Sequence, residues 1–211
     1  MRLYLSSQNV GNHVHRLVDM VGKNRTVAYI SNAKDYSSLE RRLKIPVHRT
    51  EFESLGFKFK EYDLRKYIGK STELEAEITK FGLVFATGGN TFLLRRAMHD
   101  SGLDKIIIEG LKKDKFVYGG SSAGSIVACP SLKGVETGDD PEAVEKIYHK
   151  EVIWEGLNLV NFYLSVHHGS AWFGREAEAM VDFFKLHNMP YKTLSDGQVL
   201  VVDNDKQEIL V

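Results

Sequence analysis

Apolar residues along this chain fall into short blocks separated by helix-length amphipathic stretches, and that rhythm comes before any other signal. Residues 2–6, 26–31 and 58–64 read as strands, with helical patterns near 9–21 and over 38–55 between them. Residues 71–80 open with Ser-Thr-Glu-Leu-Glu, a capped helix start, and 82–86 is a Phe-containing apolar run without alternation, the mark of a buried strand. Helices are expected at 90–101 and 103–113, and a further strand at 115–119. Strands alternating with helices predict an α/β fold with a mostly parallel, doubly wound sheet and helices on both faces. Near the carboxyl end, runs at 191–194 and 199–203 flank Ser195-Asp196-Gly197, which predicts a C-terminal hairpin. Residues 129–154 are polar and glycine-bearing, and are expected to form a long loop or lid over the site.

Length and composition bound the rest. A chain of 211 residues with no internal repeat or Pro/Gly-rich linker is expected to form one domain over residues 1–211. Lys plus Arg and Asp plus Glu both total 28, so the formal net charge is zero, which argues against nucleic acid or an anionic membrane as partner. The single cysteine, Cys129, leaves no internal disulfide, and no run approaches the ~18 apolar residues of a membrane span. A cytoplasmic location is the resulting expectation, with oligomeric state open between monomer and homodimer.

The densest chemistry lies at Gly120-Ser121-Ser122-Ala123-Gly124, a G-x-S-x-G pattern between the apolar run 116–118 and the helix candidate 125–129. In that setting Ser122 is a nucleophile on a tight strand-to-helix turn, and the Ala123 amide is one oxyanion donor. A phosphate-binding glycine turn is the alternative. A second turn, Thr87-Gly88-Gly89-Asn90-Thr91, follows a strand that should end on the same sheet edge, so Gly88 or Gly89 can supply the other donor, or Asn90 can simply cap a helix. Of eight histidines, His13, His15, His48, His99, His149 and His187 fall in helical or polar segments. His167 and His168 end the apolar run 157–166, where catalytic loops of parallel sheets lie. The acid that orients the base is either Asp196, in the Ser-Asp-Gly turn, or Asp139, in the irregular loop, and Asp196 is favoured because paired strand runs would hold it rigidly.

Three of these motifs, Gly88-Gly89-Asn90-Thr91, Tyr118-Gly119-Gly120-Ser121-Ser122-Ala123-Gly124 and Gly156-Leu157-Asn158-Leu159 leading to His167, resemble the dipeptidase E (aspartyl dipeptidase) family of serine peptidases. Cyanophycinase is a more distant relative. The resemblance implies the class I glutamine amidotransferase-like fold, Ser122 as nucleophile and His167 rather than His168 as base. It matches Asp196 to the family's triad glutamate and Asp139 to another aspartate assigned to catalysis. It also implies Asn90 and Arg175 as substrate-binding residues, the arginine being the family's partner for an aspartyl carboxylate. Departures are visible: Val166-His167-His168 replaces Pro-His-Phe/Tyr, the chain between nucleophile and base is longer, and the segment from His167 to Arg175 is shorter. The expected activity is hydrolysis of short peptides, such as dipeptides with N-terminal Asp, without metal or cofactor. An esterase or amidase with the same elbow, or a non-catalytic binding protein on this fold, are the rival readings.

Overall fold

The computed structural model describes residues 1–211, the side chain of Arg42 excepted. Strand β1 (Arg2–Ser6) leads through α1 (Val14–Val21) to β2 (Thr26–Ile30), and α2 (Ser38–Ser54) returns to β3 (Lys58–Tyr62). Helix α3 (Ser71–Ile78), β4 (Leu83–Ala86), α4 (Thr91–Ser101), α5 (Leu103–Lys112), β5 (Val117–Ser121) and the short α6 (Ala123–Ile126) follow. The carboxyl third carries α7 (Ala143–Tyr148), β6 (Tyr163–Ser165), α8 (Gly174–Leu186), β7 (Tyr191–Thr193), β8 (Val199–Asp203) and β9 (Lys206–Leu210).

Seven strands form one sheet in the order β3-β2-β4-β5-β1-β8-β9. The first five strands in sequence pair in parallel, whereas β8 runs antiparallel to β1 and β9 antiparallel to β8. Side chains alternate between the two faces, as a pleated strand requires. Tyr4, Tyr29 and Phe85 face a cluster with Leu17 and Met20 of α1 and Phe52 of α2. Leu5, Ile30 and Ala86 face a larger cluster with α3, α4, α5, α6 and α8. The expected doubly wound architecture is the observed one.

Register fixes the functional edge. Ala86 pairs with Gly120 and Ser6 with Ser121, so β4, β5 and β1 end side by side. The loops that leave them therefore converge, as strand ends of a parallel sheet do at a ligand site.

Four sequence expectations need correction. The first helix starts at Val14 rather than near residue 9, because residues 7–12 dock on the 197–198 turn: Ser7 N donates to Gln198 O and Asn12 N to Gly197 O. Ser71 lies inside α3 and makes no cap hydrogen bond. The C-terminal hairpin is β8–β9, turning at residues 204–205, and not the pair flanking Asp196. Strand β7 instead pairs in parallel with β6 in a separate two-stranded sheet. Finally, the 129–154 segment is no loose loop: it contains α7, buries Val135 and Val144, and is pinned by Leu132 N donating to Trp154 O at 2.7 Å. Among the described residues no helix is long and apolar enough to cross a membrane.

Candidate active site

Strand β5 enters α6 through Ser122, whose backbone adopts φ +50° and ψ −113°. A left-handed conformation in a residue with a Cβ is strained, and it persists only where neighbours hold it. Here they do. Ser122 N donates to Ser6 O at 3.1 Å, Ser125 Oγ to the same carbonyl at 2.7 Å, and Tyr118 Oη to Gly124 O at 2.8 Å. The flanking glycines are sterically required. A Cβ on Gly120 would lie 2.3 Å from Gly124 O, and one on Gly124 2.0 Å from Ala86 O. Ser122 is thereby raised off the sheet edge with its hydroxyl free to meet a base.

That partner is His167. Its Nε2 lies 3.0 Å from Ser122 Oγ, and its Nδ1 lies 2.6 Å from Asp196 Oδ1. A serine that donates to Nε2 requires the proton on Nδ1, directed at the carboxylate, so the two contacts assign one tautomer. The histidine backbone is itself left-handed (φ +60°), and its N–H donates to Ser7 Oγ at 2.8 Å. Ser7 Oγ in turn donates to Asp196 Oδ1 at 3.0 Å, so one hydroxyl at the end of β1 positions both base and acid. Phe173 flanks the imidazole with ring centroids 5.2 Å apart. The Asp196 turn is fixed by Gln198, whose Oε1 accepts from Ser195 N at 2.9 Å. Sequence reasoning missed Ser7; the only available signal was a polar residue at the end of a central strand.

The neighbouring His168 is directed elsewhere. Its backbone N–H donates to Leu194 O, and its Nδ1 is buried without a partner among the described residues. Asp139 is also not the acid beside His167. Its Oδ2 accepts from Thr91 N at 2.8 Å at the head of α4, and burial pushes its carboxyl pKa above the usual range. Asn90 caps the same helix through Leu93 N (2.9 Å) and donates through Nδ2 to Asp140 O (2.8 Å), tying down the loop that carries Asp139. Arg175, expected at the substrate, stands exposed on the first turn of α8 outside the cleft. The adjacent Glu176 lines the cleft instead.

The Gly88–Gly89 turn lies directly against the nucleophile, since a Cβ on Gly88 would sit 3.0 Å from Ser122 Cβ and 3.6 Å from its Oγ. Gly89 has φ +141°, and a Cβ there would meet Ala33 O at 2.3 Å. Among the described residues the Gly88, Gly89 and Ala123 amides have no hydrogen-bond acceptor, whereas the flanking Thr87 and Asn90 amides are paired. Three unpaired donors grouped around a serine hydroxyl can receive a developing oxyanion. The surrounding cleft holds about 660 Å³, a size suited to a small ligand. Among the described residues no group of three or more His, Cys, Asp or Glu side chains could hold a metal ion.

Comparison with known proteins gives the family and the fold. The sequence profile of "Peptidase family S51" matches residues 4–210. An uncharacterized peptidase of Listeria innocua is 25% identical over 183 residues, covering 86% of this chain and 82% of that protein. Peptidase E of Nostoc is 30% identical over 169 residues, covering 80% of this chain and 60% of that protein. In fold, a crystal structure of a Listeria monocytogenes protein provisionally assigned to peptidase E superposes with a TM-score of 0.79 at 23% identity, covering 99% of this chain and 97% of that one.

Proposed function

The chain belongs to peptidase family S51 and is a serine-type peptidase, and from that premise we propose that it hydrolyses short peptides through Ser122, His167 and Asp196. Ser122 Oγ attacks the scissile carbonyl while its proton passes to His167 Nε2. Asp196 stabilises the resulting imidazolium and holds the ring in register. The negative charge on the former carbonyl oxygen is met by the Ala123 amide and by Gly88 or Gly89. His167 then gives its proton to the leaving amine, and a water activated by the same ring hydrolyses the acyl-enzyme.

The observation that carries this reading is the bridging position of His167, 3.0 Å from the hydroxyl and 2.6 Å from the carboxylate. Both distances lie within the reach a general base needs before substrate arrives. A preference for N-terminal aspartate, which the family resemblance attaches to Arg175, draws no support from that side chain's position outside the cleft. The test is Ser122→Ala. Peptide hydrolysis is expected to fall by ~10⁴ or more, because such residues act as a unit, and a fluorophosphonate probe should label the parent protein alone. Near-normal turnover of the variant would remove Ser122 from the chemistry.

A further inference from the structure

One charged side chain in the cleft has no role in that chemistry. Lys34 lies in the turn after β2 and is only 8% exposed. Its Nζ has a single carboxylate near it among the described residues, Glu40 Oε2 at 3.7 Å, beyond hydrogen-bond length, and that glutamate is half-exposed and already accepts from the Tyr36 hydroxyl. Lys44 and His48 line the same end of the cleft. Burial, with the nearby Lys44 charge adding to it, pushes the Lys34 amine below its usual range, and only Glu40 opposes this. A buried ammonium with so little compensation is costly unless something else pairs with it.

The cleft also carries acidic groups. Glu176 lines it, and its Oε2 is shut off from solvent with no hydrogen-bond partner among the described residues. Asp139 stands nearby on the same wall. Strand order puts Lys34 on the same sheet edge as Ser122: β2, β4 and β5 are neighbours, so the Lys34 turn, the Gly88–Gly89 turn and the elbow lie in sequence along it. An unmodified short peptide is a zwitterion, with an ammonium at one end and a carboxylate at the other. An extended residue spans only ~3.3–3.6 Å, so both ends of a di- or tripeptide fit within one such cleft.

We propose that Lys34 binds the free C-terminal carboxylate of a short peptide whose scissile carbonyl rests on Ser122, which makes the enzyme selective for di- and tripeptides over amidated or longer chains. The inference rests on the reading of Ser122 as nucleophile. A terminal carboxylate is favoured over an acidic side chain because every short peptide possesses the former.

The experiment measures binding calorimetrically to Ser122→Ala, so that no peptide is consumed. Leu-Ala carries only a terminal carboxylate, Asp-Ala-amide only a side-chain one, and Leu-Ala-amide neither. Leu-Ala is expected to bind at least ~10-fold more tightly than its amide. Adding Lys34→Met should weaken Leu-Ala by about 10- to 100-fold, the range for losing one hydrogen bond between charged groups, and leave the amide unchanged. Lys34→Arg should retain the preference. Equal binding of Leu-Ala and its amide, absence of Leu-Ala binding, or a Lys34 dependence seen only with Asp-Ala-amide would each overturn the proposal. The three-peptide comparison decides even if Lys34→Met fails to fold. Fluorophosphonate labelling of the parent protein reports on Ser122 independently, so loss of this inference and loss of the peptidase mechanism are told apart.

Discussion

At the scale of single residues, the site depends on which of two similar groups is placed by a strand end. Asp196 and Asp139 are both near the nucleophile, yet only Asp196 reaches the His167 ring, and Ser7 secures it there. Asp139 spends its Oδ2 on the Thr91 amide. Asp196→Asn is therefore expected to lower kcat by roughly 10⁴, since an amide cannot hold the imidazole in the required tautomer. Asp139→Asn keeps an acceptor for Thr91 and should retain kcat within about tenfold. Steady-state kinetics of the two variants on one peptide checks this, and the reverse ranking would move the acid to Asp139. The elbow at Ser122 and the pair His167–His168 were legible in the sequence, because a strand–turn–helix elbow and a histidine at a strand end each have a local pattern, whereas the preference for His167 within the pair came from the family resemblance. The choice between the acids leaned to Asp196 on the expectation of a flanking strand pair that does not form, because which loop reaches the imidazole depends on the folded sheet. Arg175 shows the same limit. Sequence spacing brings an arginine to α8, but one residue of helical rotation, about 100°, separates it from Glu176, the residue that faces the cleft.

At the scale of elements, catalysis needs three loops brought to one edge within a few ångströms. The tightest joint is between α6 and β4, where Gly124 packs its Cα against Ala86 O. Gly124→Ala would force its Cβ to 2.0 Å from that carbonyl, so the helix must withdraw from the strand that carries the Gly88–Gly89 turn. A loss of about 1–3 kcal/mol in urea unfolding is expected, together with loss of hydrolysis. Gly174→Ala is the control: its Cβ would meet nothing closer than 3.6 Å, at the start of a helix, and stability should stay level or rise slightly. Equal effects of the two substitutions would refute the joint. The parallel core was readable because its strands are apolar blocks set between amphipathic helices. Strand β9 was not, since four of its five residues, Lys206 to Ile209, are exposed at the sheet edge and leave no alternation to detect. Strand β7 resembled a hairpin arm for the converse reason: its turn residues favour a hairpin locally, but its backbone pairs with β6.

At the scale of the whole molecule, a formal charge of zero conceals a charged cleft, in which Lys34, Lys44 and His48 lie together and Glu40, Asp139 and Glu176 also line the walls. Totals cannot reveal such an arrangement, because it arises only when α2, α8 and the 138–140 loop meet over the sheet. Tyr148 of α7 closes part of that assembly by donating to Asp35 Oδ2 at 2.5 Å across 113 residues of chain. The cationic cluster has a consequence for stability as well as for binding. His48 on α2 is hydrogen-bonded through Nδ1 to the Tyr29 hydroxyl, and burial, followed by the charges of Lys34 and Lys44, depresses its pKa from 6.5 to about 4. In the unfolded chain the ring takes up a proton as pH falls below about 6.5, whereas the folded chain resists until about 4. The unfolded state thus binds more protons in that window, and the stability contribution, intact above pH ~6.5, is lost as the pH falls through it. Partial solvation of the ring reduces the effect, leaving a loss on the order of 1–2 kcal/mol between pH 7 and pH 4.5 attributable to this one group. His48→Gln retains an acceptor for Tyr29 but does not titrate, so its urea-unfolding free energy should fall less than the parent's over the same interval. Parallel pH dependences for parent and variant would show that His48 is accessible to protons in the folded state and that the cationic cluster of the cleft exerts no hold on it.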